Sequence, residues 1–220
     1  LLYERLKGQA HVEIMPTLGT HTPMTPEQIG IMYPGIPLER FKDHDWRNSL
    51  TRLGEVPGDF VRQVSEGKLD YPVFCEINRL LVEGKWDRIL SIGQLVPHEV
   101  VGIANQNKNI FVGVGGQETI HKTHFIGAVH GMERMMGREK TPVRDVFNYM
   151  GEHFARHLPI SYILTVRAKD ASGRLITRGL YAGDDNACFL RGAKLCQQAN
   201  LDLMDKPIRK AVVYLDPSEF

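Results

Sequence analysis

Residues 162–182 read YILTVRAKDASGRLITRGLYA. Tyr162–Ala168 and Leu175–Ala182 are apolar runs rich in β-branched and aromatic residues, and Lys169–Gly173 between them is turn chemistry. The stretch therefore predicts two strands joined as a hairpin. Just downstream, Asp184–Leu203 carries apolar residues at helical spacing, and upstream Arg88–Ile92 (RILSI) is a short run of the buried-strand type. Strands alternating with helical patterns define an α/β class. The expected architecture is a mostly parallel sheet flanked by helices, Rossmann-like, with one antiparallel hairpin.

The same reading extends to the rest of the chain. His11–Leu18 reads as a strand with Pro16 near its end, and Tyr71–Ile77 and Ile110–Val114 as two more. Arg52–Val64 reads as extended with a turn at Pro57-Gly58, and Ala211–Leu215 as a closing strand. Thr25-Pro26-Glu27-Gln28 has the signature of a capped helix start, and Asn78–Lys85 of a short helix ending near Gly84. Gln117–Met136 and Thr141–His157 are longer helical segments. The whole of 1–220 is expected to form one α/β domain, the N-terminal part of a longer two-domain protein.

Bulk properties exclude several classes. A 42% hydrophobic and 24% charged chain of 220 residues is ordinary for a globular protein. A net charge of +1 gives no electrostatic reason to expect nucleic acid or an anionic membrane as a partner. No apolar run is long enough to span a bilayer, and no signal peptide is evident. The three cysteines, Cys75, Cys188 and Cys196, are odd in number and widely spaced, so they predict reduced thiols packed in a cytoplasmic protein. Nothing in the pattern fixes the oligomeric state, and an oligomer is compatible with it.

The chemistry gathers in Gln94–His124, QLVPHEVVGIANQNKNIFVGVGGQETIHKTH. His98 ends an apolar run, Lys108 sits among neutral amides, and a glycine cluster precedes His124. Imidazoles move protons near neutral pH or bind borderline metals. A lysine held away from other charges becomes a nucleophile or a point of attachment. His21, in Gly19-Thr20-His21, follows another strand-like run, and in α/β sheets ligands sit beyond the carboxyl ends of strands. Local pattern leaves plainer readings open for each residue. His21 and His98 would serve equally as loop histidines bonded to carbonyls, and Lys108 as a solvated lysine. Gly113–Gly116 would be either a phosphate cradle, with Gly115 and Gly116 as cofactor-binding residues, or a packing turn. His121 with His124, and His153 with His157, have helical spacing for a metal, but no HExxH motif supports a zinc hydrolase.

Taken together the motifs resemble the lactate racemase family, the nickel-pincer 2-hydroxyacid racemases and epimerases. The resemblance is carried by GTHTPMTPEQI (Gly19–Ile29), EINRL (Glu76–Leu80), VPHEVVGIANQNKNIFVGVGGQETI (Val96–Ile120) with His124, and RLITRGLYAGD (Arg174–Asp184). It implies that Lys108 carries a nickel-pincer nucleotide, a pyridinium mononucleotide, through a thioamide, and that His124 is the protein ligand to nickel. It implies that His21 and His98 are the paired acid/base groups. One takes the hydroxyl proton while hydride leaves the same carbon for the cofactor, and the flat 2-keto acid regains hydride on either face. The partners implied are a small 2-hydroxy acid and a C-terminal domain that closes over the cofactor, so that residues 1–220 alone are expected to be inactive. The alternative is a non-catalytic nucleotide- or cofactor-binding module of the same fold. Where many relatives have Ser-Gly-Gly-Arg before the tether lysine, this chain has Ala104-Asn105-Gln106-Asn107, and where they have a basic residue it has Thr22. That departure suggests a larger, more hydroxylated acid than lactate, such as an aldonate, bonded by the amide cluster.

Overall fold

The predicted hairpin is present. In the computed structural model, which describes residues 1–202, 204–206, 208–212 and 214, the elements run as follows: α1 (Leu2–Leu6), α2 (Pro26–Met32), β1 (Leu50–Val56), α3 (Gly58–Val64), β2 (Val73–Asn78), α4 (Arg79–Glu83), β3 (Ile89–Gln94), β4 (Pro97–His98), β5 (Gly102–Ile103), α5 (Gln117–His130), α6 (Met132–Met135), α7 (Pro142–Met150), β6 (Ile160–Lys169), β7 (Leu175–Gly183) and α8 (Asn186–Asn200). β6 and β7 pair antiparallel, and β3 lies parallel to β6 on its other side, from Ile89 opposite Ile160 to Gln94 opposite Thr165. β1 with β2 and β4 with β5 form two further antiparallel pairs.

The α/β class holds, but among the described residues β3 and β6 are the one pair of strands that run parallel, and the other parallel pairing is a single bridge outside the strands. Periodicity reports which residues are buried and says nothing about strand direction, so a composition of alternating elements suggested more parallel sheet than the chain builds.

Burial explains the hairpin and its helix. On β6 every second residue, Ile160, Tyr162, Leu164, Val166 and Ala168, is buried, as the two-residue period of a strand requires. That face meets α8, which turns Cys188, Phe189, Gly192, Ala193 and Cys196 inward at helical spacing. Asp185 caps α8 by accepting from the Ala187 N–H. Each fully buried aliphatic or aromatic side chain here contributes roughly 1.5–3 kcal/mol. α7 follows the same logic, with Val143, Val146, Phe147 and Met150 on one buried stripe and Thr141 as its cap.

Several local expectations meet tertiary corrections. Of His11–Leu18, only Ile14 pairs, in a single parallel bridge with Phe41. Pro16 lacks the N–H a ladder needs. Pro57 starts a helix, α3, rather than a turn, because its fixed φ suits a helix entrance. Ile110–Val114 is not a strand: Asn109–Gly113 forms a π-helical turn, with Ile110, Phe111 and Val112 buried. A short apolar run does not distinguish strand from buried helix. The helix expected over 117–136 breaks at Gly131, whose φ is +102°. The capped start at Thr25 is as read, with Thr25 and Gln28 forming a reciprocal capping box, and the short helix read over 78–85 is present as α4, with Asn78 as its cap. The strand expected at 211–215 lies in part outside the described residues.

Among the described residues no helix is long and apolar enough to cross a membrane. All three cysteines are free and buried. Burial pushes the Cys75 thiol up to about 12 and raises those of Cys188 and Cys196, so none is held as a ready thiolate.

Candidate functional site

The site is built where β3 ends. Beyond Gln94 the chain makes the small β4–β5 ribbon, carrying His98, and then enters a turn at Asn105-Gln106 that leads into Lys108 and the π-helical turn. Asn105 and Gln106 both have positive φ, +79° and +59°. Two consecutive left-handed residues that are not glycine are costly, about 1 kcal/mol or more each, and persist only when their surroundings hold them. The turn needs backbone angles that glycine takes freely, and here Asn105 and Gln106 supply them.

Neighbouring side chains secure that turn. The Asn105 amide donates to Gln94 O at 3.0 Å, and its Oδ1 accepts from Asn109 Nδ2 at 2.6 Å. It packs against Gly93 of β3, where a Cβ would stand 2.1 Å from Asn105 Nδ2, so only glycine admits it. Asn107 accepts from the Tyr162 hydroxyl at 2.6 Å and donates to Asn148 Oδ1 at 3.0 Å. Gln106 Oε1 accepts from Arg144 at 3.3 Å. The amide cluster is thus consumed internally, and Gln106 and Asn107 are buried. The cluster was expected to bond substrate hydroxyls; these bonds hold the loop instead, and they remove the reason for favouring an aldonate.

Lys108, His98 and His124 lie within electrostatic reach of one another. Burial, with Lys108's charge next, pulls His98 down to about 4. Burial also lowers His124, with the Lys108 charge adding to it, and lowers the Lys108 amine. Both imidazoles are therefore neutral at pH 7. Glu99 opposes these shifts at all three groups and is a site residue that sequence reasoning passed over, although it adjoins His98.

The hydrogen bonds assign the ring protons. His124 Nδ1 lies 2.7 Å from Ile120 O; a carbonyl only accepts, so Nδ1 carries the proton and Nε2 keeps its lone pair. This is the state of a histidine prepared to ligate a metal, its other nitrogen fixed by a carbonyl. His98 Nδ1 accepts from the Val100 N–H at 3.1 Å, so its resting proton is on Nε2. The other tautomer would direct an Nδ1 proton toward Glu99 Oε2, 3.5 Å away.

His21 is set differently. Its loop packs on the same wall: Gly19 N–H donates to Gly113 O at 2.8 Å, and a Cβ on Gly19 would stand 3.2 Å from Val112 O and 3.6 Å from Ile120. The His21 ring itself is exposed and has no hydrogen-bond partner among the described residues. Gly115 and Gly116 are buried, and their N–H groups donate to Val112 O and Glu76 O, both at 3.2 Å. Those donors are taken up by protein carbonyls, which suits the packing-turn reading of the glycine cluster. A Cβ on Gly115 would meet Phe111 O at 2.0 Å.

The glycine turn has a second anchor that sequence did not signal. His44 is buried, with Nε2 3.0 Å from Gly115 O and Nδ1 3.0 Å from Asn78 Nδ2. Because the carbonyl accepts and the amide donates, His44 is neutral with its proton on Nε2, and burial lowers its pKa to match. His121 and His153 are exposed, and His153 stacks on Tyr149 at 4.1 Å. Among the described residues no three His, Cys, Asp or Glu side chains gather as a metal cage. An open cleft of about 690 Å3 lies at the start of α5, lined by Trp46, Arg47, Glu76 and His121. None of His21, His98, Lys108 or His124 lines it.

Comparison with known proteins bears on the family and the fold. Residues 1–137 match the lactate racemase N-terminal domain. A crystal structure of a protein from Thermotoga maritima is similar with a TM-score of 0.81 and 26% identity, covering 95% of this chain and 52% of that one. The lactate racemase apoprotein from Thermoanaerobacterium thermosaccharolyticum is similar in fold, with a TM-score of 0.64 and 21% identity over 88% of this chain and 43% of that one. The chain spans about half the length of these two structures. No curated protein matches it in sequence. With more than half of its residues in that one match, the chain belongs to the lactate racemase N-terminal domain family.

Proposed function

We propose that this chain is the N-terminal catalytic domain of a racemase or epimerase of a small 2-hydroxy acid that uses a nickel-pincer nucleotide attached at Lys108. The observation that carries this reading is the pairing of Lys108 with a proton-assigned His124. Lys108 is a half-buried amine with no carboxylate within ion-pair distance among the described residues, and its pKa is lowered by burial. An amide-type bond there removes a charge that the surroundings disfavour. His124 offers a free Nε2 lone pair. One imidazole beside a tridentate group suits nickel(II). When bound, the group would supply a hydride acceptor at the substrate carbon.

In this reading the chain's own residues do the rest. Burial keeps His98 neutral at working pH, as a proton-transfer group requires, and its Nε2–H is a donor for the oxygen of a 2-keto acid. Taking up a hydroxyl proton at Nε2 calls for the other tautomer, with Glu99 accepting at Nδ1. His21, whose loop packs on the wall between Lys108 and His124, would serve the opposite face of the carbon. Ile110, Phe111 and Val112 form the dry backing behind Lys108.

The test is intact mass and metal analysis of the full-length protein made in cells that produce the cofactor. An adduct on Lys108 with one nickel per chain is expected. An unmodified chain that binds nucleotide noncovalently would overturn the proposal in favour of a binding module.

A further inference from the structure

We propose that Arg144 is the positioning residue for Lys108: its guanidinium holds the left-handed Asn105-Gln106 turn from below and so fixes where the tether lysine enters the site. The role assigned to Lys108 rests on the function proposed above; the clamp itself stands on geometry.

Arg144 lies on the first turn of α7 and is only 1% exposed. A fully buried guanidinium normally faces a carboxylate. Here its partners are on the Lys108 loop. Nη2 donates to Ile103 O, and Nη1 donates to Asn105 O at 3.1 Å and to Gln106 Oε1 at 3.3 Å. Its plane rests on Phe189 of α8, 4.1 Å from the ring centroid. The cap residue Thr141 ties the same helix to Val101 O at 3.1 Å. The fork therefore grips residues 103, 105 and 106 of a segment whose last two residues would otherwise leave positive φ. Carbonyls of that segment in turn accept from the next residues, Asn105 O from Lys108 N at 3.4 Å and Gln106 O from Asn109 N at 2.9 Å. The turn that Arg144 holds is thus the turn that begins the helix carrying Lys108.

Burial pulls the guanidinium down to about 9, so at pH 7 it keeps its charge. That charge also acts on Lys108, in the direction that favours the neutral amine. A planar five-donor fork is needed to reach three carbonyl-type acceptors at once, and a lysine ammonium does not reproduce it.

The test uses full-length protein from cells that lack the cofactor, acetylated with limiting acetic anhydride across a pH series. The readout is Lys108 acetylation relative to exposed Lys194, followed by peptide mass spectrometry. In the parent, the Lys108 midpoint should lie below the ordinary lysine value. Arg144→Lys should raise it by about one unit, which is tenfold less neutral amine at pH 7. Adding Gln106→Gly to Arg144→Lys should restore it, because glycine takes the left-handed angles without a clamp. If Arg144→Lys does not fold, Gln106→Val in the parent gives the same information, since a β-branched residue resists positive φ; it should raise the midpoint while Gln106→Gly alone leaves it in place. An unmoved midpoint in Arg144→Lys or Gln106→Val, or a double variant no different from Arg144→Lys, overturns the inference. None of these readouts needs the cofactor, so a missing Lys108 adduct would sink the proposed function and leave the clamp standing.

Discussion

Acidification should destabilise this domain through His98, and by an amount the site geometry sets. The folded protein holds His98 at about 4, chiefly by burial, against 6.5 for an exposed imidazole. The sign follows from proton linkage. Above 6.5 neither folded nor unfolded chain binds the proton, and His98 leaves stability unchanged. Below 6.5 the unfolded chain takes up a proton that the folded one refuses, so stability falls with pH until about 4. Between pH 7 and pH 5 this single group removes about 2 kcal/mol, a large share of a typical domain's margin. His44, His124 and His130 are displaced in the same direction and steepen the slope. The assay is urea denaturation of the parent and His98→Gln at several pH values in that window. The glutamine variant, lacking the titrating ring, should lose about 2 kcal/mol less than the parent between pH 7 and pH 5. Parallel pH profiles for the two proteins would refute the reasoning, and with it the claim that His98 is held neutral by its surroundings.

Other perturbations separate the site from its scaffold. His44→Ala should cost about 2–4 kcal/mol in denaturation experiments, since it opens a cavity and strands Asn78 Nδ2 and Gly115 O without partners. Gly115→Ala should destabilise by more than about 3 kcal/mol, read as a lowered thermal midpoint, because its Cβ would collide with backbone at Phe111. His124→Ala should lower stability by only about 1 kcal/mol, the bond to Ile120 O, while nickel content of the full-length protein falls to background. A variant that keeps its nickel would remove His124 from the metal site.

The sequence carried the capping residues and the residue classes of the site. Thr25 with Gln28, Asn78 and Thr141 announce helix starts because their side chains bond backbone donors a few residues away, and that chemistry is local. It did not reveal that 110–114 would coil rather than extend, since an apolar run reports burial and not backbone shape. Nor did it reveal Arg144 or His44. Each acts on residues far along the chain, Arg144 on Ile103–Gln106 and His44 on Gly115 and Asn78, and an arginine or histidine in isolation reads as surface.

The hairpin of β6 and β7, the helix behind it and the triplet His98, Lys108 and His124 are written in the sequence, because period, turn chemistry and residue type are properties of neighbouring positions. Folding alone decided which nitrogen of His124 is free, that the amides before Lys108 bond inward, and that a buried guanidinium bonds the turn leading into Lys108. Those outcomes depend on partners brought together across the chain, where a hydrogen bond in a dry interior sets proton position and loop shape.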